Sequence, residues 1–351
     1  MRIAYTVLMV FSFSVASCAI HPLPEDYSGV STKDIVRQIR CEARKSLIDM
    51  ALNFLSRGDG NNESSRLIAE QFRSGSRSIS EFSPKLFKGF QKASLDTFWT
   101  TGIAYNFNLD MTEVNNLNAS VGFSQPFATG VFGLGGRTGV DRSRGNVRTF
   151  TVTDTFERLF KLPENFCANK IVGPNYIYPI TGEIGMSEPL QTFVYLSLFG
   201  GLTQPGDPEN PPYSNDGPPT MVEALQFTTK LSGSVTPSVV FTPIPKVFSL
   251  VSADLNAEAS RTDIHKVTIG LALDKAAVTQ LGAFRDGLFA RYGGQAGTNR
   301  AGGLTAANKY SGAMFGRLLT ASGSRSEIAA AEAVDQYLTQ RLFSPTINFN
   351  P

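Results

Sequence analysis

Between Val36 and Phe54, apolar residues recur at spacings of three and four: Val36, Ile39, Ala43, Leu47, Met50 and Phe54 form one stripe of a helix. Ser31, with Asp34 three positions on, suits the N-cap, and Gly58 suits the end. A second helical zone covers Glu63–Phe72 and, after a Ser/Gly/Arg-rich loop at 73–80, Ser83–Phe98. From Thr101 the period falls to two. Ile103, Tyr105, Phe107, Leu109 and Met111 alternate with polar or small residues, and the alternation resumes from Leu117 to Phe123 after Asn115-Asn116, which predicts a hairpin. A weaker strand at Gly130–Leu134, a glycine-rich turn and a strand at Val147–Phe156 complete a first β block of four strands.

The second half repeats this grammar. A helix is predicted from Ser187 to Phe199, with Ser187 as cap and Pro189 in the first turn. Residues 203–220 carry six prolines and form neither helix nor central strand. A second β block follows at Leu225–Val235, Val239–Phe241, Val247–Leu255 and His265–Leu273, then helices at Lys275–Arg291 and Ser326–Leu342. The expected class is α+β: two antiparallel, sandwich-like β blocks of about four strands each, packed with N-terminal, central and C-terminal helices. The expected division is 1–17 leader, 18–31 tether, 32–201 first half, 202–220 linker or loop, and 221–351 second half.

The first residues change the picture. Arg2, an apolar stretch from Ile3 to Phe13 and Ser14-Val15-Ala16-Ser17-Cys18 make a short positive region, a short apolar region and a small-residue cleavage site. The Cys directly after Val15-Ala16-Ser17 resembles the lipobox of bacterial lipoproteins. The resemblance implies that Cys18 is diacylated on sulfur and becomes the mature N-terminus, anchored without a transmembrane helix. Ala19 at the next position, by the sorting pattern of that family, implies the outer membrane, periplasmic face. Residues 19–31 read as a tether that reaches at most about 45 Å when extended. With the lipobox, the helix start at 31–44 and the two β blocks, the whole chain is similar to Gram-negative envelope lipoproteins that carry no assigned activity. If Cys18 is consumed by lipid, Cys41 and Cys167 remain as an even pair. Either a disulfide or two buried thiols fits the sequence.

Charge and composition narrow the function. With 32 Lys and Arg against 30 Asp and Glu, the 351-residue chain is too nearly neutral for charge-driven nucleic-acid binding. Two histidines and three cysteines are too few for ordinary zinc or iron–sulfur modules, so neither metal nor cofactor is expected. Gly133-Leu134-Gly135-Gly136-Arg137-Thr138-Gly139 fails the dinucleotide pattern at Thr138 and reads as a hairpin turn. Ser260, Asp263 and His265 invite a triad, but neighbours on one strand do not converge as triad members must, and a solvated strand end is the expectation. Asn106, Asn108 and Asp110, with Glu113 beyond, offer oxygen ligands on an extended backbone that does not make a calcium loop. Asp154 shares its strand face with Phe150, Val152 and Phe156, where a buried carboxylate would need a partner; position near a strand end is the simpler account. Arg37, Arg40 and Arg44 lie along one helical edge, read as a solvated face within reach of lipid phosphates.

No catalytic residue is expected. The leading expectation is a membrane-anchored envelope lipoprotein with a scaffold, assembly or binding role and an envelope protein partner. The alternatives are a periplasmic hydrolase with an unrecognised site and an outer-membrane β-barrel. Against the barrel stand the mixed segment and Pro-rich loop between the strands, the flanking helices, and a barrel's lack of need for an acyl anchor.

Overall fold

The computed structural model describes residues 21–56, 63–168, 173–200, 202, 218–240, 248–278, 280–281 and 324–343. Cys18 and the leader, residues 203–217 of the Pro-rich stretch, Phe241 and residues 282–291 of the expected fifth helix lie outside the described residues. The fold is α+β. Its sheet is one rather than two: β1 (Gly102–Phe127), β2 (Gly130–Thr155), β3 (Thr220–Val235), β4 (Ser238–Val240) and β5 (Ser249–Ala272) join in the order β2-β1-β5-β3, with β4 also paired to β5. The two expected blocks therefore lie side by side in a single layer, joined where β1 pairs with β5.

The strands are also longer than the local signals suggest. Asn115-Asn116 lies within β1 and the glycine run 133–139 lies within β2; the turn between them is Ala128-Thr129. The expected strands at 247–255 and 265–273 are one strand, β5. Cross-strand pairing overrides turn propensity here, because each stretch lies against a partner strand that keeps it extended. One glycine has a specific reason: a Cβ on Gly139 would stand 2.3 Å from Asn118 Oδ1 across the strand pair.

The chain forms two compact units that interleave in sequence, the larger of 32–108, 149–226 and 266–351, the smaller of 1–31, 109–148 and 227–265. In the larger unit, α1 (Thr32–Ser56) is packed by α2 (Glu63–Arg73), α4 (Phe156–Phe160) and α5 (Ser187–Leu198). Packing on several sides moves the buried stripe from the expected one: Ile39, Ala43 and Leu47 are buried as expected, but Ile35, Ala51 and Leu55 replace Val36, Met50 and Phe54. Beside α3 (Gly89–Trp99), Phe82 stacks on Phe160 at 4.7 Å between centroids, and Phe72, Phe87 and Trp99 surround it. Cys41 of α1 is disulfide-bonded to Cys167, with Cα atoms 5.5 Å apart.

Ser187 begins α5 without capping it. Glu42 of α1 does that work, its carboxylate accepting from the backbone N–H groups of Ile184, Gly185 and Met186 at 2.8–2.9 Å. The last helix, α6 (Arg325–Phe343), opens with a reciprocal cap in which Ser324 N–H donates to Glu327 Oε2 at 2.7 Å and Glu327 N–H to Ser324 Oγ at 3.3 Å. It lies directly on strand glycines: a Cβ on Gly102 or Gly270 would meet the backbone of Ser326 or Ala330 at 2.2 and 2.4 Å. Among the described residues, no helix is long and apolar enough to cross a membrane.

Candidate functional site

The smaller unit consists of the remaining lengths of β1, β2, β3 and β5, with β4 and the segment after the leader. Its register follows from facing side chains. Glu113 accepts from Arg144 on β2 at 2.9 Å and from Arg261 on β5 at 3.2 Å, and Ser120 Oγ donates to Asp254 at 3.2 Å. Each pair advances along one strand as it recedes along the other, so β1 is antiparallel to both neighbours.

Arg261 anchors a belt of charge across the sheet. It is about 9% exposed, and its Nε donates to both oxygens of buried Asp263 at 2.9 and 3.1 Å. Its Nη2 donates to the carbonyl of Leu23 at 2.6 Å, and Asp26 lies 4.0 Å from Nη1. Asn146 Nδ2 donates to the carbonyl of Pro22 at 2.9 Å. The segment that begins four residues after Cys18 is thus bound to β2 and β5.

The expectation of a solvated strand end for Asp263 and His265 is corrected here. His265 is 1% exposed in the interior of β5, not at a solvated strand end, and the Asp263 carboxylate is engaged by Arg261. Ser260 falls on the opposite strand face by the alternation of residues along β5. Burial pushes the His265 pKa down; Asp263 and Asp110 oppose that and Arg261 adds to it. With the Asp263 carboxylate engaged by Arg261 and Ser260 on the other face, these three residues do not make a triad.

Other sequence candidates prove to be structural. Asn106 and Asn108 donate to Thr151 and Thr149 at 2.9 and 3.1 Å as cross-strand pairs, while Glu113 faces the other side with Arg144 and Arg261. Among the described residues no group of three or more His, Cys, Asp or Glu is arranged to hold a metal. Asp154 is 1% exposed and takes a two-point contact from Arg40 at 2.7 and 2.8 Å. Burial pushes its pKa up against the downward pull of Arg40. Arg40 and Arg44 are therefore not a solvated edge. Arg40 also lies 5.2 Å over the Phe166 ring, and Arg44 is buried, its pKa lowered by desolvation and raised in part by Glu164.

The feature that local motif reading misses is the division of the smaller unit's sheet into two chemically distinct faces. On β1, Leu117, Ala119, Val121 and Phe123 share the face of Glu113, while Asn116, Asn118, Ser120 and Gly122 share the other. The register carries Phe132, Leu134 and Val140 of β2 onto the apolar face, where Val121 Cγ2 lies 3.6 Å from the place a Gly136 Cβ would take. On β5, Val251, Ala253, Leu255 and Ala257 follow, while Ser252, Asp254, Asn256 and Glu258 point the other way. The Thr236–Asn256 contact at 3.1 Å puts Ser232, Ser234 and Lys230 of β3 on the polar face. There Asn118, Ser120, Arg137, Gly139, Asp254 and Asn256 line a shallow depression of about 370 Å³. The signal for this division was present as alternation, but it was broken by apparent turns at 115–116 and 133–139.

Comparison with known proteins places the chain. The family described as "Uncharacterised protein y4kA" matches residues 21–280, which include every strand. An "Uncharacterized protein y4kA" of Sinorhizobium fredii (strain NBRC 101917 / NGR234) is 33% identical over 264 residues, 73% of this chain and 79% of the relative. The long-stranded sheet and the helices packed in the larger unit are thus carried by a chain that belongs to the y4kA family.

Proposed function

We propose that this is an envelope lipoprotein, acylated at Cys18, held on the periplasmic face of the outer membrane, and non-enzymatic, with an assembly or binding role toward an envelope partner. The observation that carries the reading is the docking of Pro22, Leu23 and Asp26 on Asn146 and Arg261. An acyl chain on Cys18 would be separated from Pro22 by only three residues, which keeps the two-faced sheet next to the bilayer. Confinement of that kind raises the effective concentration of any envelope partner. The charged belt supports a non-enzymatic role, because its carboxylates and guanidinium groups satisfy one another.

The test is metabolic labelling with a palmitate analogue followed by membrane fractionation. Label on the wild type and none on Cys18→Ala is the expected result, and label retained on the variant refutes the anchor. In-cell crosslinking through a C-terminal tag, wild type against Cys18→Ala, identifies the partner.

A further inference from the structure

We infer that the smaller unit is a set of transmembrane staves: copies of this chain join edge to edge and close their long strands into one water-filled β-barrel through a lipid bilayer. This deepens the anchored-envelope reading but rests on the sheet and not on Cys18, so the two fail separately.

The first observation is the segregation of charge. No Asp, Glu, Lys or Arg stands on the apolar face along 117–127, 130–140 or 251–259, whereas Arg137, Asp254 and Glu258 stand on the opposite face of the same stretches. A sheet in water shows such alternation when something covers its apolar face. Here Val121, Phe127 and Leu134 are 42%, 53% and 56% exposed, and among the described residues the smaller unit has only the single helical turn Glu25–Ser28. A contiguous uncovered apolar face marks an interaction surface.

Dimensions and borders name the occupant. The eleven residues of β1 from 117 to 127 extend about 36 Å, which is about 25 Å when tilted at 45°, the height of the apolar band of membrane barrels. One border is the belt of Glu113, Arg144, Arg261 and Asp263. Toward the other, Phe123 stacks on Phe248 at 5.4 Å with Phe132 at 6.4 Å, the aromatic side chains favoured where hydrocarbon meets water. A bilayer matches this face in length, polarity and both borders.

The edges require further copies. β2 forms one edge of the sheet and β3, continued along β5 by β4, forms the other; these four staves cannot close a barrel, for which eight is the usual minimum. Open edges in hydrocarbon leave N–H and C=O groups unpaired, which a bilayer core without water does not tolerate. β2 and the β3–β4 edge run in opposite directions, so β2 of one copy meets the β3–β4 edge of the next as an antiparallel pair. That contact is head-to-tail, repeats by rotation and closes a ring with an even strand number whatever the copy number. The polar face, with its Gly, Ser and Asn residues, then lines the lumen.

The full-length protein, reconstituted in phosphatidylethanolamine–phosphatidylglycerol vesicles, provides the test. Val121→Cys, Leu134→Cys, Asn118→Cys and Ser120→Cys are each labelled with a small fluorophore. The expected result is several-fold stronger quenching by nitroxide-bearing acyl chains at 121 and 134, and by aqueous iodide at 118 and 120. Independently of any substitution, native mass spectrometry of the wild type should give a ring of defined copy number, and planar bilayers should show discrete conductance steps. Equal iodide quenching at all four positions, a monomeric wild type, or the absence of conductance overturns the inference. Palmitate label surviving in Cys18→Ala would refute the anchor alone.

Discussion

Arg261 holds two carboxylates and the carbonyl of Leu23, so its loss takes a two-point contact from the charge of buried Asp263. Arg261→Met is expected to cost about 3–5 kcal/mol in denaturant unfolding, with Arg261→Lys recovering only part because an ammonium cannot reproduce the fork. A double variant that also replaces Asp263 with Leu should be less damaging than Arg261→Met alone, since no charge is then stranded. His265 makes a separate contribution to the pH dependence. Burial lowers its folded pKa below the ordinary 6.5, so the unfolded chain binds the proton more readily. Stability from this group is full above the unfolded pKa and is lost as pH falls from there toward the lowered folded value. His265→Gln should therefore flatten the acid side of the stability profile, and an unchanged slope between wild type and variant would count against it.

At the scale of elements, the docking of α6 is decided by two small residues on the sheet. Gly270→Val places side-chain atoms where the Ala330 carbonyl already lies, and α6 must shift to admit them. A loss of about 1–3 kcal/mol is expected, together with faster amide hydrogen exchange over 325–343 and little change in α1. Element lengths were the least legible feature of the sequence. The helices at 63–72, 187–199 and 326–342 were found within a few residues of their observed bounds, because each has its own apolar period and terminus. Local signals divide the strands into pieces, because Asn115-Asn116 and the 133–139 glycines favour turns, and only the facing strands supply the pairing that keeps them extended.

At the scale of the whole molecule, the Cys41–Cys167 bond closes a loop across a sequence separation of 126. In the chain-entropy account, opening a loop of that size costs about 4–5 kcal/mol, so Cys41→Ser with Cys167→Ser should lower the denaturation midpoint by a corresponding amount. Reduction of the wild type should do the same, and an unmoved midpoint would mean that the reduced chain keeps the same constraints. The bond lies wholly in the larger unit, so the smaller unit's sheet should keep its protection from exchange in the variant.

The sequence by itself determined the α+β class, the period of each element, the near-neutral charge and the alternation of apolar and polar residues along the strands. These are local properties, since a side chain's neighbours at two or at three and four positions decide which period it can serve. Only the tertiary structure decided that strands from both halves share one sheet, that Glu113, Arg144, Arg261 and Asp263 meet, and that Arg40 and Asp154 pair. It also decided that the apolar positions of four strands fall on one face. Register is set by contacts between residues more than a hundred positions apart, as in Ser120 with Asp254, and no local window contains both partners.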